Sequence, residues 1–127
     1  MATYLLIAVG GALGSVARAW LGTVVTRFMG PQFPWGTILI NVLGSFVIGF
    51  FATLTASHGR IPASPETRAF VMIGLCGGFT TFSAFSLQTL DLALDGRAPQ
   101  AFANIGISVI VCLAAVAAGH YGGAAIN

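Results

Sequence analysis

The stretch CGGFTTFSAFS, residues 76–86, places a glycine pair and several hydroxyl side chains inside an otherwise apolar segment. A membrane-spanning helix must satisfy its own backbone hydrogen bonds, because lipid offers no partners. The β-branched pair Thr80 and Thr81 favours an irregular backbone, and broken spans often mark ion or substrate sites. We therefore predict a helix that is broken halfway across a membrane. Close packing between helices is the alternative explanation for the two glycines.

The composition of the whole chain indicates a membrane protein. Of its 127 residues, 57% are hydrophobic and 6% are charged, whereas a soluble domain carries about 25% charged residues. The basic residues are five scattered arginines that form no patch, so we expect no nucleic-acid partner. The two cysteines lie in apolar stretches and indicate neither a disulfide framework nor a metal site.

Four segments are long and apolar enough to cross a membrane, because a spanning helix needs about 20 mostly apolar residues. They are residues 3–28, 35–57, 67–94 and 100–121. Glycines, prolines and charged residues separate them, as expected of loops. The first segment lacks a basic n-region, so we expect a retained helix rather than a signal peptide. Residues 1–127 are thus predicted to form a single all-α domain with four transmembrane helices.

The arginines near the ends of these spans are evenly divided between the two sides of the membrane. Arg27 and Arg97 fall on one side of the predicted topology, and Arg60 and Arg68 fall on the other. An excess of arginine and lysine on one side normally sets the orientation of a membrane protein. The balance therefore predicts dual topology and an antiparallel homodimer. A single orientation imposed by cellular machinery is the alternative.

Several polar residues fall inside the predicted spans. Asn41 needs a partner at that depth, and is either a functional residue or a contact between helices. Asn104, Ser108 and Cys112 share one face of the fourth span and form a candidate track of hydrogen-bond donors, although serine also bonds its own helix backbone. Arg18 either lines an aqueous vestibule or extends to the membrane interface.

Phe82 and Phe85 lie three residues apart and share a helix face. A phenylalanine ring is positive at its edge, so an anion can bind there without a fixed countercharge. Ordinary packing is the alternative. The acidic residues lie in loops or at span ends, which argues against a proton-coupled cation exporter. The sequence shows no nucleophile–base pair and no phosphate loop, so we expect no enzyme.

The motif at residues 77–86 resembles the signature of the Fluc/CrcB fluoride channels. The sequence GGALG at residues 10–14 with Arg18, and PWGT at residues 34–37 with Asn41, resemble the first two helices of that family. The resemblance covers all four spans. It implies a passive channel that exports toxic fluoride from the cytoplasm across the cell inner (plasma) membrane. It also implies a dual-topology antiparallel homodimer with two pores and a central structural sodium ion.

The resemblance further implies roles for individual residues. The backbone carbonyls of Gly77 and Thr80 would bind the sodium ion, and Arg18 would line a vestibule. The residues implied to lie along the fluoride pathway are Asn41, Phe82, Phe85, Ser108, Thr37, Ser83 and Thr81.

Three positions depart from the family pattern, namely Gln88, Asn104 and Cys112, where glutamate, tyrosine and serine or threonine are frequent. A thiol donates only weakly, so part of the polar track should differ in detail. The alternative function is that of a small multidrug-resistance-type transporter, which also has four spans and dual topology. A third alternative is a membrane assembly subunit that transports nothing.

Overall fold

The computed structural model describes all 127 residues, and every regular element in it is helical. Numbered along the chain, the helices are α1 (Ala2–Met29), α2 (Trp35–Leu54), α3 (residues 65–79), α4 (Phe82–Leu94) and α5 (Ala98–Ile126). Four helical stretches are long and apolar enough to cross a membrane, and the third of them, Pro65–Leu94, comprises α3 and α4. The prediction of an all-α protein with four membrane-spanning segments is confirmed.

The helix ends differ from the predicted spans for local reasons. α2 ends at Leu54 rather than at residue 57, because the chain then enters the turns before Pro65. α5 begins at Ala98 rather than at residue 100, with a proline in its first turn. A proline is tolerated there because the first amides of a helix have no intrahelical partner. α5 also continues to Ile126, beyond the predicted residue 121.

α3 contains a π-helical segment, Ala69–Cys76, between the short α-helical pieces Pro65–Arg68 and Gly77–Phe79. An α-helix has 3.6 residues per turn, so positions four apart drift around its surface. The wider turns of a π-helix offset that drift. Phe70, Gly74 and Gly78 are spaced by four residues, and all three contact α1.

Glycine contacts bring the helices together in two pairs, α1 with α3 and α2 with α5. A Cβ atom built on Gly10 would lie 3.0 Å from the Cα atom of Gly74, and one on Gly78 would lie 2.5 Å from the carbonyl oxygen of Gly11. In the second pair, a Cβ atom on Gly119 would overlap the carbonyl oxygen of Phe46. Small residues permit this close approach where lipid supplies no hydrophobic driving force.

We predict that Gly119→Ala destabilises the protein by about 1–3 kcal/mol, because the added methyl group would force the α2 and α5 backbones apart. Gly122→Ala is the matched control on the same helix, since its Cβ atom would meet only the Phe50 ring at an ordinary 3.8 Å. Thermal unfolding in detergent measures both variants. Equal melting temperatures for the two would contradict the prediction.

Candidate functional site

The helical conformation of the third span is interrupted at Thr80 and Thr81. Thr80 has φ −80° and ψ 157°, and Thr81 has φ −152° and ψ 111°, so both are extended. The amide of Thr80 still donates to the carbonyl of Cys76 at 2.9 Å and completes the last turn of α3. The hydroxyl of Thr81 accepts from the amide of Ala84 at 3.1 Å and caps the first turn of α4. The two threonines thus end one helix and begin the next.

Asn41, on α2, supplies the hydrogen bonds that the extended Thr81 cannot make within a helix. Its Nδ2 donates to the Thr81 carbonyl at 3.0 Å, and its Oδ1 accepts from the Thr81 amide at 2.7 Å. The side-chain amide therefore pairs with the peptide groups as a neighbouring strand would. An amide NH₂ carries two hydrogens, so Asn41 keeps one N–H for a further acceptor. The contact between helices expected as one alternative for Asn41 is present.

The interruption also changes the partners of two backbone carbonyls. In a continuous helix the amide of Thr81 would bind the carbonyl of Gly77, but that amide is bound to the α2 side chain. The carbonyl of Gly77 has therefore lost its helical donor. The carbonyl of Thr80 accepts a long hydrogen bond of 3.4 Å from Nη1 of Arg18. A Cβ atom on Gly77 would meet nothing closer than 3.8 Å, so close packing does not explain this glycine.

A cleft of about 430 Å³ lies beside the interruption, and we call it the first cleft. It is lined by residues of α2, α3, α4 and α5. Among the residues singled out from the sequence, it brings together Asn41, Gly77, Thr80, Thr81, Phe82, Phe85, Ser108 and Cys112. Ser83 does not line the first cleft and lies near the start of α4, with its hydroxyl 3.2 Å from that of Thr81.

A second cleft, of about 700 Å³, lies on the other side of Thr81. Arg18 and Thr37 line this second cleft rather than the first, and Arg27 joins them there. No acidic residue lines it, so two positive charges face the cleft without a fixed countercharge. Thr81 lines both clefts. The interrupted backbone therefore stands between a mostly apolar cleft and a basic one.

Gln88 also lines the second cleft. Its Oε1 is the one buried side-chain oxygen or nitrogen in the chain that lacks a hydrogen-bond partner. A buried polar atom without a partner costs free energy, so this side of the cleft favours a further donor.

The two phenylalanines of the motif lie next to each other at the first cleft. Their ring centroids are 5.3 Å apart and the ring planes are tilted by 48°. Phe82 is 78% exposed, whereas Phe85 is half-buried. A large apolar side chain that is so exposed on one chain is available to lipid or to a second subunit.

The predicted polar track of residues 104, 108 and 112 is divided in the structure. Ser108 and Cys112 line the first cleft, whereas Asn104 is 1% exposed and lies behind it. Nδ2 of Asn104 donates to the hydroxyl of Thr89 at 2.9 Å, and its Oδ1 accepts from Ser108 at 3.2 Å. Sequence reasoning missed Thr89. The sequence feature that could have identified it is a hydroxyl residue one helical turn after Phe85.

The side chains offer no conventional metal site. No group of three or more histidine, cysteine, aspartate or glutamate residues lies close enough together to hold a metal ion. Backbone carbonyls remain as candidate ligands, and oxygen ligands of this kind suit hard cations.

We predict that Asn41→Leu destabilises the protein by about 2–4 kcal/mol, because it leaves the buried amide and carbonyl of Thr81 without partners. Asn41→Gln keeps both the donor and the acceptor and changes only their distance from Thr81. We expect its unfolding midpoint in detergent to lie between those of the wild type and the leucine variant. A leucine variant as stable as the wild type would show that other groups satisfy Thr81.

Comparison with known proteins identifies the family. Residues 5–120 match the family described as CrcB-like protein, Camphor Resistance (CrcB). A fluoride-specific ion channel FluC of Rhodospirillum rubrum is 53% identical over 125 residues, which cover 98% of this chain and 97% of the relative. Proteins of the same name from Methylocella silvestris and Opitutus terrae are 56% and 54% identical, and cover 98% and 100% of this chain and 95% and 96% of the relatives. This multi-pass membrane protein therefore belongs to the CrcB family, to which the relatives named fluoride-specific ion channels also belong.

Proposed function

We propose that this protein is a passive, fluoride-selective ion channel that exports fluoride from the cytoplasm across the inner membrane. The observation that carries the proposal is the interruption at Thr80 and Thr81, which lies next to a cleft lined by two phenylalanine rings and by hydroxyl residues. The names of the relatives supply the ion. Membrane potential and trapping of fluoride as its weak acid outside the cell would drive net export.

The interruption is proposed to lie near the middle of the membrane. It falls well inside the stretch Pro65–Leu94, which is long enough to cross the hydrocarbon as a whole. Non-helical backbone at that depth is tolerated only when protein covers it or when it lines a polar cavity. At Thr81, Asn41 supplies the protein contact, and the two clefts supply the cavities beside the backbone.

Fluoride is small and strongly hydrated, so a pathway must replace its water with donors. Asn41 has one N–H to spare, and Ser108 places a hydroxyl group in the same cleft. Neither group carries a full charge. A fixed cation in the narrow part of a pathway would hold the anion too tightly, because conduction requires binding that is weak enough to release. Chloride is larger and a poorer hydrogen-bond acceptor, so the same donors favour fluoride.

The rings of Phe82 and Phe85 complete this environment. A ring edge is weakly positive, so a dehydrated anion can pass between ring edges and hydroxyl donors. Both rings line the first cleft and are tilted rather than stacked on each other, and we propose that they present their edges to the ion.

The second cleft is proposed as an aqueous vestibule. Arg18 and Arg27 give it a positive potential, and no acidic residue lines it. A cleft with charges of one sign raises the local concentration of ions of the other sign. Thr37 lines this vestibule one helical turn before Asn41, and is proposed to bind the ion there together with Thr81. Ser83, which contacts the Thr81 hydroxyl, is proposed to support that step.

The functional unit is proposed to be an antiparallel homodimer of dual topology. The first cleft is open, and the 78% exposed ring of Phe82 stands beside it. A second copy would cover both and would produce two equivalent pathways. The even division of arginines between the two sides of the membrane permits both orientations.

A structural sodium ion is proposed at the dimer interface, bound by the carbonyls of Gly77 and Thr80 from both copies. The donor set fits a hard cation, since both groups are oxygens and the Gly77 carbonyl has lost its helical donor. The Thr80 carbonyl already accepts from Arg18 at 3.4 Å, but a carbonyl oxygen has a second lone pair. Such an ion would hold the two interrupted helices together.

The direct test is efflux from liposomes that contain the purified protein. With an electrical potential applied, we expect rapid loss of fluoride to an ion-selective electrode and no comparable loss of chloride. Empty liposomes are the control. Equal fluxes of the two anions would contradict selectivity. Efflux of an organic cation coupled to a proton gradient, without fluoride flux, would favour the transporter alternative instead.

A second test concerns the aromatic rings. We predict that Phe82→Ile or Phe85→Ile lowers fluoride flux by about three- to tenfold, because a favourable ring interaction is worth about 0.5–1.5 kcal/mol. Phe102→Ile is the matched control, since Phe102 is 74% exposed and lines neither cleft. Size-exclusion chromatography checks that each variant keeps its oligomeric state. Wild-type flux in both ring variants would mean that the rings only pack.

A further inference from the structure

A chain of three hydrogen bonds runs behind the first cleft and joins two of its walls. Ser108 Oγ lies 3.2 Å from Oδ1 of Asn104, and Nδ2 of Asn104 lies 2.9 Å from Oγ1 of Thr89. Oγ1 of Thr89 in turn lies 2.7 Å from the carbonyl oxygen of Phe85. The chain therefore begins and ends at residues that line the cleft, Ser108 and Phe85. Its two inner members, Asn104 and Thr89, line neither cleft.

The direction of these bonds determines what Ser108 presents to an ion. In the structure each group donates toward Phe85, so the Ser108 proton is bound to Asn104. The hydroxyl then offers the cleft only lone pairs, which repel an anion. This direction is therefore unsuited to a fluoride ion in the cleft.

The same heavy-atom positions allow the opposite direction. If the Asn104 amide turns over, its NH₂ group donates to Ser108 and its oxygen accepts from Thr89. The hydroxyl of Thr89 can make this change because a hydroxyl both donates and accepts. The Ser108 proton is then free to point into the cleft. The Phe85 carbonyl keeps the helical backbone amide of Thr89 as a partner.

We propose that Thr89, Asn104 and Ser108 form a reversible hydrogen-bond relay, and that fluoride in the first cleft selects the direction in which Ser108 donates to it. The proposal rests on the proposed channel function. The negative charge favours the reversed direction because all three dipoles then point their positive ends toward the ion. Hydrogen bonds in a chain also polarise one another, so Ser108 becomes a stronger donor than an isolated serine. Asn104 and Thr89 are positioning residues, since they act through Ser108.

The burial of Asn104 supports a role in the relay rather than a role in packing alone. Its side chain is 1% exposed, and burying an amide is costly unless its groups are hydrogen-bonded. Both partners of Asn104 are hydroxyl groups. These can exchange the roles of donor and acceptor, whereas a backbone amide or carbonyl cannot.

The test begins with Thr89→Val, which removes the hydroxyl, keeps nearly the same shape and lies outside both clefts. We expect fluoride flux in liposomes to fall about five- to tenfold, as the loss of one hydrogen bond would cause. Thr89→Ser restores the hydroxyl and should keep flux near the wild-type value. Ser86→Ala is the matched control, because the Ser86 hydroxyl on the same helix donates only to its own backbone, at 2.9 Å to Phe82. Wild-type flux in Thr89→Val, or an equal loss in Thr89→Ser, would overturn the relay.

A double-mutant cycle separates the relay from general packing. If Thr89 acts through Ser108, Thr89→Val should have no further effect in a Ser108→Ala background. The cycle is measured as flux, and also as the rise in melting temperature that sodium fluoride produces over sodium chloride, which needs no flux. Equal effects of Thr89→Val in both backgrounds would overturn the proposal. Asn104→Leu, which breaks the chain at its centre, serves in the same cycle if the valine variant does not fold.

Failure of the relay can be distinguished from failure of the channel function. A wild-type protein without fluoride flux would refute the channel. A conducting wild-type protein with an additive cycle would refute only the relay.

Discussion

The pairing of Asn41 with the backbone of Thr81 is the interaction on which the site depends. Lipid cannot hydrogen-bond an exposed peptide group, so an extended segment within a spanning helix requires a partner from elsewhere in the protein. The Asn41 amide supplies a donor and an acceptor at 3.0 Å and 2.7 Å. Without that pair, the amide and the carbonyl of Thr81 would lack the partners that they have in the structure. The freed Gly77 carbonyl and the meeting of two clefts at Thr81 both follow from it.

The close approach of the helices holds this pair in place. α1 rests on α3 through glycines that face each other, whereas Gly49 and Gly119 at the α2–α5 contact each face the backbone of a larger residue. Gly44, three residues after Asn41 on α2, would overlap the Thr80 methyl group if it carried a Cβ atom. A larger residue there would move α2 away from the interruption. The small residues along these contacts therefore determine whether the Asn41 amide reaches Thr81.

Hydropathy predicted the four apolar spans because the hydrocarbon thickness fixes the length of a crossing helix. Within the motif at residues 76–86, the backbone is extended at Thr80 and Thr81. Hydrogen-bond partners on different helices were not predictable, because they depend on how each helix is rotated about its axis. Asn41 was singled out, but its bond to a residue 40 positions away was not foreseen. Asn104 was assigned to the same face as Ser108, yet it points away from the cleft and toward Thr89. The π-helical segment was missed, since no simple residue pattern distinguishes it from an α-helix.

The same pair also determines the chemical character of the proposed pathway. An asparagine side chain presents both an acceptor, which repels an anion, and donors, which attract it. Oδ1 of Asn41 accepts from the Thr81 amide and Nδ2 donates to the Thr81 carbonyl, so one N–H of the side chain remains. We propose that this N–H serves the first cleft as an uncharged donor. Ser108, on α5, presents the same ambiguity to the first cleft, and there a second amide, that of Asn104, accepts a hydrogen bond from the hydroxyl. One amide is fixed by a backbone whose roles cannot change, and the other lies between hydroxyl groups whose roles can. A fixed donor and a reversible one would let the pathway attract fluoride and still release it.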